Sequence, residues 1–427
     1  MQSLLMGWRV DASRNSCMAD KVKIAIIGGG LAGLSTAYHL DKHGLDCDVY
    51  EKNSEVGGRL STRSIEGEYI NRGALMFCPR FNPCFSELID ELRVAYEHVR
   101  MSKFALQVGD RLIPLSQWSI MKSGLFSFSD FLKWLRLKSL LKSLNFDFTH
   151  PDERLIKWHD MSLLEFCEKV AKLSDTMIDC LVHPFASFAY VDPDQMAADY
   201  GLFLLSYSVT PCAFFSKGMG ELAFVLKDRL KEKIRLNTRV RRVIHREGKG
   251  FMVTIDERDA GEKCSREEGP YHYCVFATGQ RHVKSLMPEV NFEVFASKTR
   301  GIIFETMTPR YRPYELLIFP KVKNTHGVHG GELRHLSDGR SICGIFLHRT
   351  DANIHAVFDK VRIIERIGWS PAISVMKPGV PIMDVATNVR NVFMTGDFFR
   401  FPSLESCVYT AKKAAGMIAE RVEKGEG

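Results

Sequence analysis

Residues 23–52, KIAIIGGGLAGLSTAYHLDKHGLDCDVYEK, decide the fold. Lys23 to Ile27 is a short apolar run, as a strand buried on both faces should be, and it breaks at Gly28-Gly29-Gly30-Leu31-Ala32-Gly33 before a helical stretch from Leu34 to His43. A second strand, Asp46 to Tyr50, ends at Glu51. The unit is a βαβ of about thirty residues, with G-x-G-x-x-G at its first turn and an acid about twenty residues further on. Gly28 permits the tight turn, Gly30 lets backbone approach a pyrophosphate, and Gly33 lets helix and strand pack closely. Leu31 and Ala32, in the turn, are candidate cofactor contacts, and the N-terminus of the helix that follows offers N–H groups and a positive dipole end to phosphate charge. Glu51, followed by Lys52, stands where a carboxylate accepts hydrogen bonds from a ribose diol, which favours an unphosphorylated ribose, as in FAD or NAD, over NADP. Strand, helix, strand and acid in one register read as a dinucleotide site rather than a glycine-rich turn.

The chain has 427 residues, more than one core usually organises, so two or three domains are expected. Its formal net charge of +7 is mild for that length, and no Arg/Lys stripe with interleaved aromatics occurs, so nucleic acid is not an expected partner. Eleven scattered cysteines form no C-x-x-C pair and read as reduced thiols of a cytoplasmic protein. Cys78 and Cys84 read as unrelated small residues rather than a redox couple. Residues 1–20 lack the apolar core of a signal peptide, because polar and charged residues follow Met6, and they read as a disordered leader. No run of about eighteen apolar residues occurs, so a spanning helix is not expected.

Beyond Glu51 come Gly57-Gly58-Arg59, a strand pair in LSTRSIEGEYIN (60–71), and Arg72-Gly73-Ala74. Gly58 suits a second backbone approach to phosphate, and Arg59 supplies a charged fork. GxGxxG, an acid and then GGR resembles the N-terminal pattern of the FAD-containing amine oxidase, protoporphyrinogen oxidase and phytoene desaturase superfamily. The resemblance implies non-covalent FAD, with Gly73 and Ala74 passing close to the flavin ring.

Two further stretches carry the same resemblance. FFSKGMGELAFVLKDRL (214–230) reads as a turn and a helix, IRLNTRVRRVIHRE and GFMVTIDERD as strands, and YHYCVFATG as a strand ending in Ala277-Thr278-Gly279. In the superfamily this order returns the chain to the FAD domain, and the residue matching Val240 meets adenine through its backbone. Lys217-Gly218-Met219-Gly220 departs from the family's turn by a displaced glycine. Near the C-terminus NVFMTGD (391–397) is a strand ending in Gly396-Asp397, and SLESCVYTAKKAAGMIAERV (403–422) is a helix. The resemblance implies that Asp397 accepts from the ribitol chain and that the helix start at Leu404, Glu405 and Ser406 points N–H groups at the flavin pyrimidine, where charge collects on reduction. Ser406 and Cys407 replace the usual Gly-Ala.

Residues 80–215 lack a βαβ rhythm and read as mainly helical, including Ile113 to Leu144; they are similar to the family's helical substrate-domain insertion, which can carry membrane contact. In FLKWLRLKSLLKSL (131–144) Lys138 and Lys142 fall opposite Lys133 and Arg136, so a half-buried helix is favoured over peripheral membrane binding. Phe185, Phe188, Tyr190, Phe203, Tyr207, Phe214 and Phe215 can line an apolar pocket or serve as core. Residues 285–370 suggest the family's antiparallel substrate sheet. Lys298 and Arg300 are candidates for the lysine that amine oxidases often carry beside the flavin, or else mark a solvated strand end. His326, His329 and Glu332 read as a polar glycine-rich turn rather than a metal cluster, and no metal is expected.

The expected architecture is therefore α/β: a Rossmann-like, doubly wound FAD-binding domain (21–79, 216–284 and 380–427) interleaved with an α+β substrate domain (80–215 and 285–379). The expected function is an FAD-dependent oxidoreductase that removes a hydride equivalent from a mostly apolar or amine-containing small molecule and passes electrons to O2 or another acceptor. A missing acid–base pair is consistent with that, because the cofactor does the chemistry. The alternatives are a redox-neutral flavin isomerase or mutase, an NAD-dependent dehydrogenase without flavin, and a flavin-fold scaffold that has lost chemistry.

Overall fold

The opening strand Lys23–Ile27 lies at the centre of a five-stranded parallel sheet, in the order Val392–Met394, Tyr273–Phe276, Lys23–Ile27, Asp46–Tyr50, Ile234–Arg235. The computed structural model describes residues 22–99, 101–259, 262–320, 326–347 and 351–425; the expected leader at 1–20 lies outside them. The helix Leu31–Lys42 begins directly after Gly30, three residues earlier than the sequence suggests, and every residue from Leu31 to Leu40 is buried. It is covered on one side by the sheet and on the other by the last helix, Leu404–Glu423. A helix between two layers is apolar all round, which is why this stretch has so weak an amphipathic pattern.

A second sheet of seven strands runs Arg362–Trp369, Thr299–Thr306, Ser341–Leu347, Val328–His335, Leu316–Ile318, Phe104–Val108, Arg111–Pro114. Its pairings are antiparallel except between Leu316–Ile318 and Phe104–Val108. The last two strands fall in the stretch read as helical, and Ile113 and Pro114 belong to a strand rather than a helix. Gly109, at φ 58°, turns this hairpin with Asp110 in a two-residue loop. A third sheet, Thr238–Arg246, Gly250–Asp259 and Glu262–Tyr271, contains one strand more than the sequence reading anticipates. Glu262–Tyr271 is charged and without alternation, and it forms because its neighbour's edge is available for pairing.

The helices between these sheets include Pro83–Glu91, Phe128–Ser143 and Ala198–Ser206. Phe128–Ser143 starts in a capping box between Ser127 and Asp130, buries Leu137 and Leu141, and exposes Phe128, Leu132 and Leu135. No helix among the described residues is long and apolar enough to cross a membrane. The segment at His329 and Glu332 is a strand, not a polar turn, and no group of His, Cys, Asp or Glu among the described residues could hold a metal.

Within the first helix His39 is buried without a partner for Nε2, and burial, reinforced by Lys42 and Lys412, pushes its pKa down to about 4. A histidine held neutral stabilises the fold above its unfolded pKa and ceases to do so as pH falls from about 6.5 through about 4. His159 has the opposite sign: its hydrogen bond to Asp199 raises its pKa, so its contribution is present at acid pH and fades as pH rises past the raised value. Replacing His39 by leucine should therefore lessen the stability lost between pH 7 and pH 5 by about 2 kcal/mol, read from urea unfolding midpoints. An unchanged acid limb would show that His39 does not titrate with folding.

Candidate functional site

The carboxyl ends of the parallel strands open, at Ile27, Tyr50, Ala277 and Met394, into one cavity of about 1040 Å³. This is where an open α/β sheet receives a ligand. At Gly28 φ is 114°, and a Cβ there would lie 2.7 Å from the carbonyl oxygen of Ala277. A Cβ on Gly33 would lie 1.9 Å from the carbonyl oxygen of Gly28, so helix and turn meet backbone to backbone. Gly30 differs: it lines the cavity, and its Cβ would find nothing nearer than the Gly57 carbonyl at 4.0 Å. No side chain caps the helix that follows, so its first N–H groups, at Leu31 and Ala32, face a ligand space.

Glu51 ends the second strand with a fixed carboxylate. Its Oε2 accepts from Gly29 N–H at 2.9 Å, and its Oε1 accepts from the backbone and side-chain N–H groups of Asn53 at 2.9 and 2.7 Å. Lys52, Val240 and Gly279 line the same end. Thr278 lines it too, and its hydroxyl is buried without a partner among the described residues. Gly73 passes under Arg59, where a Cβ would lie 2.1 Å from the Arg59 carbonyl oxygen, and Ala74 N–H donates to that oxygen at 2.9 Å.

Arg59 and Asp397 meet across the cavity wall. Nη1 donates to Oδ2 at 2.6 Å and Nη2 to Oδ1 at 3.1 Å, while Nη1 also donates to the Ala372 carbonyl at 2.7 Å. Asp397 accepts in addition from Ser374 N–H and Oγ–H. Burial alone would raise this carboxyl, but the guanidinium and the Ser374 N–H outweigh it and hold Asp397 below the ordinary carboxylate range.

The last helix begins at the cavity with Leu404, and Cys407 lines it as well. Glu405 and Ser406 do not. Glu405 turns to the helix Pro83–Glu91, accepting from Cys84 and Phe85 N–H at 2.9 Å, and Ser406 donates to the Gly396 carbonyl at 3.1 Å while its N–H is capped by Ser403. Gly33, Glu405 and Ser406 thus shape the site from behind, while Gly58, Ala277 and Gly396 stand with the other anticipated residues at its surface.

Away from Glu51 the wall is apolar and aromatic, with Phe188, Tyr190, Phe203 and Tyr207 from the helical region and Ile318, His329 and Phe346 from the seven-stranded sheet. Phe185, Phe214 and Phe215 are not in this wall. Lys298 reaches the cavity and Arg300 does not. Sequence reasoning passed over His329 as a place of contact, along with Trp369, whose Nε1–H donates to the Arg72 carbonyl at 2.7 Å.

These residues fit a flavin dinucleotide. The unpartnered Thr278 hydroxyl, the space at Gly30 that a Cβ would fill and the uncapped helix start all await a polar, phosphate-bearing ligand. Zeta-carotene desaturase of Solanum lycopersicum is 41% identical over 66 residues, 15% of this chain, and the chain spans only 11% of that relative's length. Two solved structures share the fold: cyclohexylamine oxidase from Brevibacterium oxydans IH-35A (TM-score 0.67, 16% identity, 94% of this chain and 99% of that one), and a CLA-producing fatty acid isomerase from P. acnes (0.68, 15%, 93% and 98%). Residues 31–303, more than half of the chain, match the family described as flavin containing amine oxidoreductase, and the chain belongs to that family.

Proposed function

We propose that the protein is an FAD-dependent oxidoreductase that removes a hydride equivalent from a mostly apolar small molecule and passes the electrons to O2 or another acceptor. The observation that carries this reading is that one cavity joins a glycine-rich, cationic end at Gly28, Gly30 and Arg59 to an aromatic end at Phe188, Tyr190 and Phe346. When bound, FAD supplies the two-electron chemistry. The chain's own residues bind, orient and exclude water. Gly28, Gly30, Leu31 and Ala32 offer backbone to the pyrophosphate, Glu51 accepts from the ribose, and Val240 and Thr278 flank the adenosine. Arg59 lends positive charge and Asp397 a fixed acceptor. The start of the last helix, at Leu404, sets a positive dipole end toward the ring.

In this reading 21–79, 216–284 and 380–427 hold the cofactor, and 80–215 and 285–379 hold the substrate. The absence of disulfides among the described cysteines supports a reducing compartment such as the cytoplasm.

Gly30 supplies the sharpest test. Its backbone, φ −79° and ψ −178°, is one that any residue adopts, and its Cβ would project into ligand space rather than into protein. Gly30→Val should therefore purify folded, melting where the unaltered protein melts once stripped of its flavin, and should lack flavin absorbance; full flavin content in that variant would show the cofactor assignment to be wrong. For the reaction, the yellow protein is mixed anaerobically with amines, porphyrinogens and polyenes. Bleaching by one class with recovery in air is the outcome expected of an oxidase, and bleaching without recovery that of a dehydrogenase with another acceptor. Turnover that needs a reductant and consumes none would instead establish an isomerase.

A further inference from the structure

We propose that His329 is the residue that hydrogen-bonds the substrate, and that the apolar half of the cavity takes an uncharged molecule carrying one hydrogen-bonding group rather than an organic ammonium ion. The inference rests on the flavoenzyme reading above and narrows its substrate class.

His329 owes its place to a β-bulge. In the pairing of Val328–His335 with Ser341–Leu347, Val328 opposes Leu347 and Gly330 opposes Phe346, so His329 is an extra residue between two consecutive partners. A bulge of this kind re-aims one side chain out of the alternating pattern and is found beside active sites. The two glycines that follow make it possible: a Cβ on Gly330 would lie 2.6 Å from the Leu317 carbonyl oxygen, and one on Gly331 would lie 1.9 Å from that of Gly344. His329 is only 4% exposed, yet it lines the cavity, its ring edge-on to Tyr190 at 6.1 Å and Phe188 at 6.3 Å. Tyr190 is itself held in the left-handed region, φ 56° and ψ 36°, and its ring meets Phe346 at 5.6 Å. Such a conformation persists in a bulky residue only where the surroundings impose it, and strained residues gather where a side chain must be presented. Burial keeps the Tyr190 phenol well above its ordinary range, so it stays a neutral hydroxyl.

The charges around the cavity decide the substrate class. Among the described lining residues Lys52, Arg59, Arg239, Arg281, Lys284 and Lys298 are cationic, and Glu51 and Asp397 are the carboxylates. Both carboxylates are committed, Glu51 to Gly29 and Asn53, and Asp397 to Arg59 and Ser374. An ammonium ion entering here meets no free carboxylate to pair with once it has lost its water. A cation–π contact with Phe188, Tyr190 or Phe346 returns less than the desolvation of an unpaired ammonium removes. An uncharged polar group loses little water, and it finds a buried imidazole and a phenol as partners.

The test compares 1-octanol with octylamine, equal in length and opposite in charge, by calorimetric titration of the flavin-loaded protein at neutral pH. Octanol should bind more than about ten-fold tighter; His329→Leu should weaken it about ten-fold without changing flavin absorbance or melting, and His329→Gln, which keeps a hydrogen-bonding group, should restore most of the loss. Equal affinity for the two probes, octanol binding unmoved by His329→Leu, or no octanol binding up to its solubility limit would each overturn the inference. If the leucine variant loses flavin or melts early, His329→Phe, which keeps a ring and removes its nitrogens, takes its place, and octanol binding unmoved in that variant overturns the role of His329. Flavin content is read separately by absorbance: a colourless protein counts against the cofactor assignment, and a yellow protein that prefers octylamine counts against this inference alone.

Discussion

The structure depends on one approach of backbone to backbone. Gly33 lies so close to the Gly28 carbonyl that no Cβ could stand between them, and this sets the distance of the helix Leu31–Lys42 from the strand Lys23–Ile27. With the helix seated so low, its first turn opens at the strand ends rather than above them, and its outer face is free to take a second layer. That layer is the last helix, Leu404–Glu423, which thereby also begins at the cavity. Two helix starts from opposite ends of the chain are thus brought to one space, and both contribute positive dipole ends.

The ion pair between Arg59 and Asp397 closes this arrangement. It joins the Gly-Gly-Arg loop to the Gly-Asp strand end across 338 positions, and the Ala372 carbonyl and Ser374 N–H draw a third segment to the same point. A pair so placed leaves neither charge without a partner in a partly desolvated wall.

How far the sequence discloses this depends on how local the determining interactions are. The unit 23–52 is legible because strand, turn, helix, strand and acid are adjacent, and each is dictated by its own residues. The hairpin Phe104–Val108 and Arg111–Pro114 was hidden by the helical texture around it, although Gly109-Asp110 between two apolar runs is a turn signal. Glu262–Tyr271 carries no strand signal of its own and exists through its partner. His329 could not be placed at all from sequence, because a bulge is a property of two strands in register, and the facing strand is set by the whole sheet. Glu405 was legible as the start of a helix but not as the cap of another, since that role needs Pro83–Glu91 at its side.

The electrostatics follow the same division. At the glycine-rich end every carboxylate is fixed by N–H groups or a guanidinium, so acceptors and cations stand preset for a ligand bearing both phosphate and diol. At the aromatic end no carboxylate among the described residues enters the wall, and Tyr190, Tyr207 and His329 stand among its polar residues within a largely apolar lining. Glu51 and Asp397 do not form an acid–base pair for that wall, because both are occupied in holding the site together. What such a wall does well is strip water from a bound molecule and hold it still.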